Sequence, residues 1–465
     1  MKKFEKLKIA IIGAGSVSFC PCTINDILMS DTLNKLPLEI CLMDIRGEAL
    51  PPAVTYAQES AAYLKRSPKI SSTTDLTEAL TGADFVVVAI EVDRYLYWSQ
   101  DWHVFRKYGF KHVFGENGGP GSMFHTLRNI PPVLHIAKEM EKHCPDAWLL
   151  NFTNPEAKLI ETVLKLTKIK AVGLCHGTNM GIEQIADMLE MDEDDIDVDA
   201  CGLNHFGWFQ RITDRRNGED LYPKLKALEN KMNWTEQWDG WALSRIMLRT
   251  YGLFPYPGTS HIGEYISWAQ DFAPGALNMY FYDPVREDPW AKKVGPHSDF
   301  TFDESDQAPP RYPEEGKTFE EMDFNPAFKF HPSQVEPSGE VVVDIIEAMI
   351  TNTRIDFPSA NMLNNGLIPN LPADMVIEVS AYADGTGVHG KPMAPLPEAI
   401  AAMIRLQASI HQLVIDAYTE KSRNKLLQAV LLDPTASNYY NAVTAINELC
   451  ELQKEMLPEM HWHNL

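Results

Sequence analysis

Lys8-Ile9-Ala10-Ile11-Ile12-Gly13-Ala14-Gly15-Ser16-Val17-Ser18 is the stretch from which the fold is read. A short β-branched run that ends on glycine reads as a buried strand. The two glycines after it let the backbone turn tightly enough to approach a pyrophosphate, whose charge then meets the N-terminus of the next helix. The third glycine of the dinucleotide fingerprint is Ser18 here, so the motif draws its force from its surroundings. Leu38–Met43 is a second, mostly apolar run and closes on Asp44, where an acid accepting from ribose hydroxyls belongs. Such an aspartate repels a 2′-phosphate and favours NAD over NADP, although Arg46 close by keeps that preference open. Gly13, Gly15, Ser16 and Asp44 are the candidate cofactor residues. The plainer alternative is a strand-to-helix turn followed by a strand-end aspartate.

Working outward, Phe85–Ile90, Ala147–Leu150 and Ala171–Cys175 are further buried-strand signals, with helical patterns clearest in Arg128–Lys142 and Gly181–Glu190. Strands alternating with helices imply parallel pairing and helices on both faces, an α/β, Rossmann-like doubly wound sheet. After about residue 200 the rhythm changes to aromatic and proline-rich stretches. The acidic segment Asp303–Asp323 reads as an exposed loop and Asp374–Ser380 as a strand. Pro397 to Leu432 is apolar at helical spacing until Asp433-Pro434 stops it. The expected organisation is a cofactor domain over 1–198 and a mixed α+β domain with a helical end over 199–465.

A chain of 465 residues exceeds what one core supports, and its 45% apolar and 23% charged residues are those of an ordinary globular enzyme. A net charge of −23 repels phosphate backbones, which excludes nucleic acid as a partner. No apolar stretch is long enough for a membrane span, and the N-terminal apolar run is too short for a signal peptide. The 7 cysteines are scattered without zinc-finger spacing, which places the chain in a reducing cytoplasm.

Three further segments carry unusually polar residues: Asn151-Phe-Thr-Asn154-Pro-Glu156, Cys175-His176-Gly177 and Cys201-Gly-Leu-Asn204-His205. At strand ends they would converge beside a nicotinamide ring. A Cys175 thiolate and a His205 imidazole can then hold a divalent transition metal with positions open for substrate oxygens. On spacing alone, a strand-end cysteine is as readily an apolar filler and a lone histidine a hydrogen-bonded structural residue. Gly115-Glu-Asn-Gly-Gly-Pro-Gly121 is either a flexible loop or one that wraps a polar ligand, with His125 and Arg128 following on a helix. In His261-Ile-Gly-Glu-Tyr265 the tyrosine is either structural or a base whose pKa a nearby cation lowers.

Together these motifs resemble glycoside hydrolase family 4 along essentially the whole chain. The resemblance is carried by Gly13-Ala-Gly-Ser16, Leu42-Met-Asp44, Asn154-Pro155, Cys175-His-Gly177, Gly202-Leu-Asn-His205, His261-Ile-Gly-Glu-Tyr265, Asn365-Gly-Leu-Ile368 and Leu432-Asp-Pro434. It implies an NAD- and Mn²⁺-dependent glycosidase, the exception among glycosidases that needs no opposed carboxylates. The sugar is oxidised at C3, loses its C2 proton and eliminates the C1 leaving group; water then adds and the hydride returns. The resemblance assigns the metal to Cys175 and His205, the C2 base to Tyr265 and leaving-group protonation to His176. It gives sugar contacts to Asn154, His125 and Arg128. Cys-His-Gly resembles members acting on unphosphorylated α-glucosides or α-glucuronides, whereas the Gly119–Gly121 and Thr259–Tyr265 segments resemble α-galactosidase and α-galacturonidase members. The expected substrate is a neutral α-hexoside, with an α-uronide the alternative, and the expected assembly a homodimer or homotetramer. Two rival readings are a 2-hydroxy acid dehydrogenase and a non-catalytic nucleotide sensor.

Overall fold

The computed structural model describes residues 4–231, 241–269 and 328–463. Its first six strands are β1 (Leu7–Ile12), β2 (Leu38–Met43), β3 (Lys69–Thr73), β4 (Phe85–Val88), β5 (Trp148–Asn151) and β6 (Lys170–Gly173). They pair in parallel in the spatial order β3-β2-β1-β4-β5-β6. The doubly wound reading is therefore the observed one. It holds because β1, β2, β4 and β5 are buried along nearly their whole length, as a sheet covered on both faces requires. β3 has no counterpart in the sequence reading: Lys-Ile-Ser-Ser-Thr is an edge strand, largely polar and partly exposed, so it carries no apolar run.

The sheet does not end where the sequence rhythm changes. β7 (Ile196–Leu203), β8 (Phe206–Asp214), β9 (Phe254–Tyr256), β10 (Ile355–Leu363), β11 (Val376–Asp384) and β12 (Gly387–Gly390) extend it in antiparallel fashion to 12 strands. β10 joins β6 through Asn361 and Gly173, β11 pairs with β10 and β7, and β8 and β9 follow at the far edge. The mixed second part is thus welded edge to edge onto the cofactor sheet. The long helical stretch from Pro397 is two helices, Glu398–Thr419 and Arg423–Leu432. Lys421 adopts φ +53° between them, and the Ser422 hydroxyl caps the second helix at the Lys425 N–H. These helices and Tyr439–Leu452 share a core with Phe105, Phe110, Phe124 and Leu127 from the first half. No helix among the described residues is long and apolar enough to cross a membrane. The acidic segment 303–323 lies outside the described residues.

Candidate active site

Beyond β1 the chain turns through Gly13 at φ +89°, where a Cβ would stand 2.2 Å from the Ala89 carbonyl oxygen. Only glycine fits there. The Gly13 and Ala14 N–H groups both donate to Met43 O at 2.9 Å, which ties the turn to β2. Asp44 Oδ2 accepts from Gly15 N–H at 2.8 Å and Oδ1 from Arg46 N–H at 2.9 Å. A Cβ on Gly15 would lie 2.8 Å from that Oδ2. Ser16 N–H donates to Gly13 O at 2.9 Å, and the helix Cys20–Met29 follows at once. The result is a side-chain-free cradle between a fixed carboxylate and a helix start, which fits the pyrophosphate and ribose of a dinucleotide.

A second constellation forms around His205, in the two-residue turn that joins β7 to β8. His205 takes φ +61°, a backbone region in which histidine is among the better-tolerated side chains. The turn aims its ring inward, where it is 4% exposed. Ligand atoms of Glu116, His205 and His261 lie within 4.8 Å of one another. Glu116 Oε2 and Glu264 Oε2 each stand 3.9 Å from His205 Nδ1, and the His205 and His261 rings meet edge to face at 4.4 Å. Burial and the neighbouring His205 hold His261 down to about 4, so its imidazole is neutral and able to bind a metal. One buried carboxylate and two imidazoles converging on one point form a donor set suited to a divalent cation, which would also offset the negative charge of Glu116 and the nearby Glu264. Cys175 is not part of this group. It is half-buried beyond β6, its Sγ accepting from Gly177 N–H at 3.4 Å, and burial with the charge of Glu378 pushes its pKa well above the ordinary value.

Tyr265 is buried in the turn after the short helix Thr259–Ile262, stacked on Phe206 at 5.0 Å. Its hydroxyl donates to Asn204 O at 3.1 Å, one residue from His205. Burial and the carboxylates of Glu264 and Glu116 hold its pKa well above the usual value, so it becomes a base only beside a cation. Asn154, after β5, donates from Nδ2 to Glu116 Oε1 at 3.1 Å and accepts at its carbonyl from Asn129 Nδ2 at 2.9 Å. His125 is fully buried, Nδ1 3.1 Å from Glu116 O and Nε2 2.9 Å from Glu91 Oε2. His176 is exposed, with Nδ1 3.2 Å from Glu340 Oε1, and that contact raises its pKa.

Arg128 does not join this group. Its guanidinium is buried 2.7 Å from Asp101 Oδ2, donates to Gln453 Oε1 at 2.7 Å and lies over the Tyr97 ring. It lies on the same helix as His125, Gly119–His143, but with its head turned into the core shared with the C-terminal helices. The glycine-rich segment is no flexible loop: Gly115–Gly121 is buried, and Gly119 opens that helix. Four residues that the sequence reading quoted without a role lie in or beside this group. They are Glu116, His261, Glu264 and Glu378, the last buried in β11 and raised by burial to about 7. Glu378 had a legible signal, a single acid inside the apolar run Met375–Val379. Lys158 had none; a lysine on an amphipathic helix ordinarily reads as solvent-facing, yet it lies buried under the glycine-rich segment, and burial lowers it to about 8.

Two family models cover the chain: the family 4 glycosyl hydrolase model over residues 8–191 and its C-terminal domain model over residues 200–436. An α-glucosidase of Erwinia rhapontici is 30% identical, with 96% of each chain covered. An α-galactosidase of Bacillus subtilis is also 30% identical, with 97% of this chain and 99% of that one covered. Among solved structures, a 6-phospho-β-glucosidase of Thermotoga maritima with manganese, NAD⁺ and glucose-6-phosphate has a TM-score of 0.74 at 21% identity, covering 97% and 100%.

Proposed function

The chain belongs to family 4 of the glycosyl hydrolases, and from that premise we propose that it hydrolyses unphosphorylated α-hexosides, α-glucosides or α-galactosides, with NAD and Mn²⁺ as resident cofactors. The observation that carries the reading is the convergence of His205, Glu116, His261 and Tyr265 in a molecule that also has the side-chain-free cradle of Gly13, Gly15 and Asp44. Gly13, Gly15, Ser16 and Asp44 would hold NAD. His205, Glu116 and His261 would hold the metal, with Cys175 the donor that the family resemblance adds. When bound, the nicotinamide supplies a reversible hydride acceptor and the cation a Lewis acid toward the sugar oxygens.

The chain's own groups do the rest. Asn154 would fix the sugar through its hydroxyls near C2 and C3. Tyr265 Oη, set by the Asn204 carbonyl, would take the C2 proton once C3 is a ketone. His176, whose proton Glu340 helps to retain, would protonate the departing C1 oxygen. Water adds in place of the leaving group, and the sugar is reduced again at C3. Burial of the His205 group keeps bulk water from the intermediate sugar. The carboxylates of Glu91, Glu116, Glu264 and Glu340 crowd these residues and favour a neutral sugar over a uronide. The 7 free thiols support a reducing, cytoplasmic setting. A homodimer or homotetramer is the proposed assembly, which light scattering on the purified protein tests.

The test of function is release of p-nitrophenol from a panel of α- and β-hexosides, uronides and phosphorylated glycosides. Each is run on metal- and cofactor-stripped enzyme with NAD⁺ and Mn²⁺ added singly and together, under reducing conditions. Cleavage of neutral α-hexosides that requires both additions is expected. Cleavage indifferent to both would contradict the mechanism, and a preference for uronides would contradict the substrate class. Sugar-dependent accumulation of NADH without cleavage would return the chain to the dehydrogenases.

A further inference from the structure

The proposed chemistry leaves Glu264 without a task, although no carboxylate of the site is more completely engaged. Its side chain is 0% exposed. Oε1 accepts from Glu116 N–H at 2.8 Å, and Oε2 accepts from Asn117 N–H at 3.0 Å and Gly118 N–H at 2.7 Å. These donors lie about 150 residues earlier in the chain, on the segment that opens the helix Gly119–His143 (sequence separations 146 to 148).

We propose that Glu264 is a positioning residue, whose carboxylate clamps the Glu116–Gly118 backbone so that Glu116 and Asn117 present their side chains to His205. The proposal rests on the reading of His205 as a seat of the metal. Three successive backbone donors on one carboxylate leave the segment no freedom to rotate, since each N–H lost from a buried site costs its full desolvation. The same segment is held from its other side, where the Lys158 ammonium donates to the Asn117 carbonyl and lies 3.3 Å from Ser122 Oγ. With its peptide gripped at both ends, Asn117 can serve two masters. Its Nδ2 stands 3.0 Å from His205 Nδ1, and its Oδ1 accepts from Glu156 N–H at 3.0 Å. Glu116 is fixed likewise, Oε1 on Asn154 and Oε2 facing His205. Gly118 is required by the same contact: a Cβ there would lie 2.7 Å from Glu264 Cβ and 2.9 Å from Tyr265 Cε1. One carboxylate therefore holds the partners of His205 and sits next in sequence to the tyrosine proposed as base. Partners of this outer kind set metal affinity without touching the metal.

Glu264→Gln tests this, because the amide is isosteric but offers one acceptor oxygen and one donor nitrogen. Whichever way it turns, at least one backbone N–H faces another donor. On full-length enzyme loaded with NAD⁺, Mn²⁺ affinity, read from the electron paramagnetic resonance of free Mn²⁺, is expected to fall about 10–100-fold, with kcat falling in step. NAD⁺ affinity is expected to stay unchanged and the thermal midpoint to fall by only a few degrees, which a general loss of structure would not allow. Gly118→Ala approaches the same contact with the carboxylate intact and its φ of −121° open to alanine. It is expected to lower Mn²⁺ affinity in the same direction, and it serves alone if Glu264→Gln does not fold. Wild-type Mn²⁺ affinity and kcat in both variants, or in Gly118→Ala alone where Glu264→Gln does not fold, overturn the proposal while leaving the metal reading standing. A wild-type protein that binds no Mn²⁺ overturns the metal reading and the proposal with it.

Discussion

The cradle at Gly13 and the group around His205 are built in opposite ways. The first is local: residues 13 to 16 and Asp44 lie just beyond two adjacent parallel strands, and their contacts span about one βα unit. Its working feature is the absence of side chains, since a Cβ at Gly13 would meet the Ala89 carbonyl and one at Gly15 the Asp44 carboxylate. The second is assembled from residues 116, 205, 261 and 264, which meet only because the antiparallel strands β7, β8 and β9 continue the sheet. Its working feature is buried charge, placed by carboxylates that would each be costly alone. A ligand cradle can thus be carried by one supersecondary unit, whereas a reactive centre of this kind needs the whole chain.

Changes at the two regions should separate cleanly. The largest effect is expected from Tyr265→Phe, which keeps the ring on Phe206 and removes only the hydroxyl. It should lower kcat about 10²–10⁴-fold in the glycosidase assay and leave NAD⁺ binding by fluorescence intact. Equal loss of both would mean the regions are one cooperative unit. Arg128→Ala comes next. It strands Asp101 in the core and should cost about 3–5 kcal/mol in urea unfolding. At temperatures where the variant is folded, the KM for sugar should be unchanged; a large rise in KM would return Arg128 to the sugar site.

Buried charge in the assembled region also sets a pH signature. Asp433 is fully buried, and burial raises its carboxyl from 3.8 to about 6. A raised folded-state pKa gives a stability contribution that is complete below the unfolded value and lost as pH climbs through the folded one. Between about pH 4 and 6, wild type should therefore lose up to about 3 kcal/mol relative to Asp433→Asn, measured by urea unfolding at each pH. Parallel curves would mean the carboxyl titrates normally. The smallest effect, about 1–3 kcal/mol, is expected from Gly13→Ala through overpacking against Ala89 O. That variant should lose NAD⁺ binding yet keep Mn²⁺ binding, the mirror image of Tyr265→Phe.

The same contrast explains what the sequence revealed. The parallel half was legible because buried strands announce themselves as apolar runs, and Leu38–Met43 was read with the bounds it has. β10 was not: Pro358, Ser359 and Asn361 interrupt it, and its register shifts between Phe357 and Ala360, so no alternation survives. Cys175, His176, His205 and Tyr265 were singled out through short motifs at element ends. Their partners Glu116, His261 and Glu264 stood inside quoted motifs but gained meaning only from contacts across long separations. Arg128 lies on a helix that follows a glycine-rich segment and presents two faces. Periodicity alone does not say that this arginine points to Asp101 and Gln453.

The central claim is that the C2 proton is removed and replaced during hydrolysis, with Tyr265 as the base. Turnover of a neutral α-hexoside in D₂O, with NAD⁺ and Mn²⁺ present, tests it through proton NMR of the released sugar. Deuterium at C2 of the product is the result predicted, and its absence at full turnover would contradict the account.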